Sequence, residues 1–164
     1  MKHFLFALSL LIVSFSLSAQ KFGFINSQEL MSNLADVKLA ENSLNSFQNE
    51  LVIKRDDMVK KFEVEYSAYM TEANSGTLSK VQMQQKEESL IAKRDQIQQY
   101  ETTMQEQLGA KREELYKPIL DKVKNVIEMV GKEGGYTMIF DTSAGALLHA
   151  AESDNLMETI KAKL

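Results

Sequence analysis

Few side chains in this sequence are spaced to do covalent or acid–base chemistry. His149 with Glu152 supplies two candidate metal ligands, but a site needs three or four. The only other histidine is His3, and the 164 residues contain no cysteine. Asp56-Asp57 and Glu113-Glu114 are adjacent carboxylates. Neighbours on a helix point about 100° apart, so neither pair converges on one atom and both read as solvated surface charge. Gly131, Gly134 and Gly135 lack the Lys-Ser/Thr that completes a phosphate-binding loop. They read as a helix stop ahead of a strand. Ser143 has no base near it in the pattern. These residues predict no enzyme, no metal and no cofactor, so any activity runs without ATP.

Contact chemistry is better supplied. Met58, Phe62, Tyr66, Tyr69, Met70, Met83 and Met104 are distributed along one long helical stretch and its return. Methionine and tyrosine suit adaptable contact with varied partners. Phe47, Tyr66 and Tyr100 fall beside the strict seven-residue positions described below. Phe47, Phe62, Tyr66, Tyr69, Met70 and Tyr100 are therefore the candidate partner-binding residues.

The elements that must carry them begin after an export signal. Met1-Lys2-His3 is positive, Phe4 to Val13 is almost wholly apolar, and Ser16-Leu17-Ser18-Ala19 supplies small residues. That is the layout of a secretory signal peptide, cleaved after Ser18 or Ala19. The apolar run is short of the ~20 residues of a membrane span. Residues 1–19 are set aside, and no acylatable cysteine follows them. Against 19 Lys+Arg stand 23 Asp+Glu, a net charge of −4. An acidic balance does not favour nucleic acid or anionic lipid as main partner. With one proline and only seven glycines, the chain is suited to long helices.

Lys21 to Ile25 predicts a strand. Asn26 or Ser27 with Glu29 close behind predicts a helix start, and helical pattern runs to about Ala73. Asn74 to Thr77 is a turn cluster. Ser79 with Gln82 matches a capping box, and a second helix runs to about Lys132. Tyr136 to Phe140 predicts a strand, Asp141 to Gly145 a turn and Ala146 to Ala150 a short further strand. Ser153 or Asp154 caps a last helix ending at Leu164.

Leu30, Val37, Leu44, Leu51 and Met58 recur every seven residues, as do Met83, Leu90, Ile97 and Met104 on the return. Leu108 and Leu115 continue after a four-residue shift. This is a coiled-coil signal. The second row is read as Glu41, Gln48 and Arg55 outgoing and Glu87, Arg94 and Glu101 returning, which makes the apolar stripe narrow. Folding the chain at Ser75/Gly76 sets Pro118 opposite Asn33, where a proline is expected to mark a boundary. The predicted architecture is mostly α with a small β body. A long antiparallel helical hairpin, residues 36–117, projects as an arm from residues 20–35 and 118–164. Two or three short strands per chain are too few for a stable sheet, so several copies would pool them into one small β body. Phe22, Phe24, Ile25, Tyr136, Met138 and Phe140 are the candidate oligomerisation residues. Asn42 to Ser46 and Gly109 are poor helix formers at one height of the hairpin, so Asn42, Asn45 and Gly109 are candidate hinge residues.

Lys21-Phe22-Gly23-Phe24-Ile25-Asn26 and Gly135-Tyr136-Thr137-Met138-Ile139-Phe140-Asp141 resemble the first and the later strand of the Skp/OmpH family of periplasmic chaperones. The resemblance covers nearly the whole mature chain in element order. It implies a trimer, a small β-barrel body and three helical arms around a cavity. It also implies periplasmic, ATP-independent holding of unfolded outer-membrane proteins. The family's best-known members are strongly basic and this chain is acidic, so attraction to lipopolysaccharide or anionic lipid does not carry over. A structural adaptor that joins envelope components through one folded partner is the competing expectation.

Overall fold

The structure, a computed structural model, describes residues 20–164. The signal reading therefore lies outside the described residues. The described chain is mostly helical with one two-stranded sheet. Its elements are β1 (Phe22–Ile25), α1 (Ser27–Asn33), α2 (Ala35–Asn74), α3 (Lys80–Glu133), β2 (Met138–Asp141) and α4 (Met157–Lys161), with a single 3-10 turn at Glu152–Asp154 before α4. No helix among the described residues is long and apolar enough to cross a membrane. The chain divides into two compact units, residues 20–33 with 122–164, and residues 34–121.

In the first unit β1 and β2 pair in parallel, Phe22 with Met138 through Ile25 with Asp141. The other edge of β1 is occupied at one point, where the Leu156 N–H donates to the Phe24 carbonyl at 2.9 Å. Side chains alternate across a strand. Gly23 and Ile25 face a core of Leu30, Val123, Val126, Val130, Leu156, Met157 and Ile160, all buried except for a few per cent. Gly23 is required by close approach: a Cβ there would lie 2.6 Å from Leu156 Cδ1. The predicted strand at 136–140 is displaced to Met138–Asp141, because Gly135 and Tyr136 are used to end α3. Gly135 has φ +67°. The Tyr136 N–H donates to Gly131 O and the Gly135 N–H to Lys132 O, the paired bonds of a left-handed glycine stop.

The expected strand at Ala146–Ala150 does not form. This stretch has no strand partner, and Leu148 is 97% exposed. The last helix is also shorter than expected and capped differently. The Asn155 side chain, not Ser153 or Asp154, accepts the Met157 N–H at 3.0 Å. Ser153 and Asp154 lie within the 3-10 turn.

In the second unit α2 and α3 run antiparallel through the turn at Ser75-Gly76, where Gly76 takes φ +67°. The capping box at α3 is present in both directions. The Ser79 N–H donates to Gln82 Oε1 at 2.9 Å, and the Gln82 N–H donates to Ser79 Oγ at 3.3 Å. At the other start, Asn26 Oδ1 accepts the Glu29 N–H at 3.0 Å.

Two expectations on helix continuity are corrected. The first helical stretch is broken at Leu34, which is extended (φ −75°, ψ 133°), so α1 and α2 are separate. Conversely, α3 passes through Pro118 without a break. The proline cannot donate to the Glu114 carbonyl, and Glu114 and Pro118 are both exposed.

Candidate binding surface

The α2/α3 pair is organised by its apolar row. Val37, Leu51, Leu90 and Met104 are buried, and Leu44, Met58, Met83, Ile97 and Leu108 are half-buried. The second row differs in part from the sequence reading, which holds at half-buried Arg55. Glu41 and Gln48 are exposed, while Ala40 is buried and Phe47 half-buried; on α3 the inward positions are Lys86, Lys93 and Tyr100, not Glu87, Arg94 and Glu101. On α3, and on α2 at Ala40 and Phe47, a step of three from the seven-residue positions places these residues inward; beyond Leu51 the step on α2 is four, with Arg55, Phe62 and Tyr69 turned inward and Lys54 and Lys61 exposed. Lys86 and Lys93 fit the inward row of α3 because their aliphatic stems lie on the seam while the ammonium groups reach out. They meet Glu72 (Nζ–Oε2 2.5 Å) and Glu65 respectively.

These ion pairs give the pair two unlike sides. At 3.6 residues per turn, Glu65 and Glu72 of α2 fall on one side of the apolar row, and Phe62, Tyr66 and Met70 fall on the other. On α3, Lys86 and Lys93 fall with the first group, and Glu87, Ile91 and Arg94 with the second. One side is bridged by Glu65–Lys93 and Glu72–Lys86, which leave two smaller hollows of about 130 Å³ each beside them. The other is open and aromatic. There the Phe62 and Tyr66 rings stack with centroids 6.0 Å apart and planes 21° apart. A groove of about 260 Å³ is lined by Phe62, Tyr66, Tyr69, Glu87, Leu90, Ile91 and Arg94. Tyr66 is 48% exposed and Ile91 50%. Tyr69 is buried, and its hydroxyl donates to Glu87 Oε1 at 2.5 Å. That hydrogen bond to the carboxylate, with burial second, raises the phenol above its ordinary range.

The six candidate contact residues are therefore not equivalent. Phe62, Tyr66 and Met70 share the open side, and Tyr69 forms the groove floor. Phe47 sits in the seam. Tyr100 is packed there too, its hydroxyl donating to Leu51 O at 3.3 Å and its ring 5.2 Å from the Lys54 ammonium. Leu90, Ile91 and Arg94 complete the groove; the sequence reading placed Leu90 and Arg94 in the two rows of the seam, and none of the three among the partner contacts. The available signal was their position beside the row, Ile91 directly after seam Leu90 and Arg94 one turn further on.

The hinge candidates lie in continuous helix. Beside Gly109 the two helices leave a gap of about 400 Å³, lined among others by Leu44, Gln48, Met104 and Leu108. Nothing lies within 4 Å of a Cβ built on Gly109.

The first unit offers a second surface. Phe22, Met138 and Phe140 lie exposed on the sheet face opposite the core, with Phe24 half-exposed among them. The Phe22 and Phe140 rings are 6.0 Å apart. Of the other oligomerisation candidates, Ile25 packs in its own core. Tyr136 is half-buried beneath the Lys21 ammonium, 4.1 Å from its ring centre. Asp141 ends β2 and ties it to α1. Its Oδ1 accepts the Ser27 N–H at 3.1 Å and the Ser143 N–H at 3.0 Å, and its Oδ2 accepts the Ser27 hydroxyl at 2.5 Å. Desolvation pushes this carboxyl up, but the hydrogen bonds from Ser27 and Ser143 outweigh it and hold the group at about 2. Among the described residues no cluster of three or more His, Asp or Glu could hold a metal ion.

Comparison with known proteins adds two findings. Residues 21–164 match the family model described as outer membrane protein (OmpH-like). The fold is similar to a crystal structure from Caulobacter crescentus CB15 that carries the description of an OmpH-like outer membrane chaperone. The TM-score is 0.76 at 13% identity, covering 88% of this chain and 83% of that one. No curated protein matches the chain.

Proposed function

This chain belongs to the OmpH-like outer membrane protein family, and from that premise we propose that it is an ATP-independent periplasmic holdase for unfolded outer-membrane proteins. The observation that carries the reading is the two-sidedness of the α2/α3 pair. A helix pair serving only as a strut needs no exposed aromatic side. Here Phe62, Tyr66 and Met70 line one side while ion pairs bridge the other. Weak, adaptable contacts repeated along such a surface suit many unfolded chains. In this reading residues 36–117 form the arm. Residues 20–35 and 118–164 form a body that pools its strands with other copies, three by the family resemblance. The exposed Phe22, Met138 and Phe140 support this, since a two-stranded sheet leaves them uncovered. The arms then surround a cavity with their aromatic sides inward.

The test is light scattering of an unfolded β-barrel membrane protein on dilution from urea, without ATP. Mature protein at stoichiometric trimer should suppress aggregation. Undiminished aggregation, together with tight binding to one folded envelope protein, would favour an adaptor instead.

A further inference from the structure

We propose that the groove between Phe62 and Ile91 is a slot for a single aromatic side chain carried on an extended, unfolded segment. The proposal rests on the holdase reading and names what that surface recognises.

Size narrows the occupant first. A volume of about 260 Å³ admits side chains, whereas a helix about 10 Å across does not fit such a slot. In an extended chain alternate side chains point the same way, so one residue can enter while its neighbours stay outside.

Electrostatics narrows it further. The walls are the stacked Phe62 and Tyr66 rings, with Leu90 and Ile91 opposite. The one carboxylate in the lining, Glu87, has an oxygen held by the Tyr69 hydroxyl, which turns that charge toward the floor. Arg94 also lines the slot, and its exposed guanidinium lies 3.1 Å from the Asp95 carboxylate. A guanidinium is complementary to the negative face of an aromatic ring and not to an aliphatic chain. Ring edges and faces in the wall likewise favour an aromatic guest beyond its area alone. Membrane β-barrels carry girdles of aromatic residues on short alternating segments, so their unfolded chains present this occupant repeatedly.

The test uses mature full-length protein and two fluorescein-labelled ten-residue peptides of alternating polar and apolar residues, one with a central Phe and one with Leu there. Fluorescence anisotropy should show the Phe peptide binding about 5-fold tighter, the scale of an aromatic pair contribution. Arg94→Gln should bring that ratio close to one, and Tyr66→Ser should weaken the Phe peptide most. Ile53→Ser, at an exposed site outside the groove, should change neither. Equal affinity for both peptides, or equal losses in Ile53→Ser and Tyr66→Ser, would overturn the slot. So would a changed sedimentation coefficient of Tyr66→Ser, which would make a second copy the occupant. Aggregation protection without peptide preference removes the slot and leaves the holdase. Peptide preference without protection removes the holdase and leaves the slot.

Discussion

Replacing Asp141 by Asn removes a charge from the junction of β2 and α1 while keeping the shape of the side chain. The carboxylate accepts three hydrogen bonds from Ser27 and Ser143 and sits at about 2, against an ordinary 3.8. In a dry site that difference is worth about 2 kcal/mol. Asp141 is largely exposed, and solvent screening reduces the expected contribution to about 1 kcal/mol. Its folded value is depressed, so the stabilisation is present above the unfolded value near 3.8 and is lost as pH falls through about 2. Urea unfolding at one fixed protein concentration, because assembly shifts the midpoint, should show Asp141→Asn less stable by about 1 kcal/mol at pH 7. The gap should close on approach to pH 2. A gap that stays constant down to pH 2, or none at pH 7, would refute the hydrogen-bonded carboxylate as the fastening between strand and helix.

Gly23→Ala should destabilise the β unit by about 1–3 kcal/mol, read as a lowered thermal midpoint, because the new methyl meets Leu156 at 2.6 Å; an unchanged midpoint would mean that Leu156 moves freely. Asn42→Ala and Asn45→Ala with Gly109→Ala should narrow the distance distribution between spin labels at Ser75, since the alanine fits the open space at Gly109. An unchanged distribution in correctly assembled protein would place the flexibility elsewhere. Client binding should weaken only modestly between low and moderate salt, because the aromatic side carries the grip and screening acts on charge; a steep loss would shift the grip to basic groups such as Lys60 and Lys61.

Local punctuation was legible in the sequence because its chemistry is short-ranged. Ser79 with Gln82, Asn26 with Glu29 and the left-handed Gly135 each act within six residues. The break at Leu34 was missed, since no glycine or proline marks it and Leu34 offers no cap; the only local signal is Ser32-Asn33, whose side chains donate to the Glu29 carbonyl at the end of α1. The seven-residue row was readable, but not whether its companion row follows at three residues or four. On α3 Lys86 and Lys93 decide for three, by lying along the seam and pairing across it with Glu72 and Glu65, while α2 changes from three to four beyond Leu51. Once that row is assigned, the open aromatic side follows from Phe62, Tyr66 and Ile91. Before it is assigned, those residues look like ordinary packing.

The claim that the helix pair is the holding surface is tested most directly by removing it. Residues 45–106 can be replaced by a short Gly/Ser turn at matched heights of α2 and α3. The shortened protein should assemble to the same number of copies by light scattering and should lose protection of an unfolded β-barrel membrane protein. Full protection by correctly assembled armless protein would contradict the account.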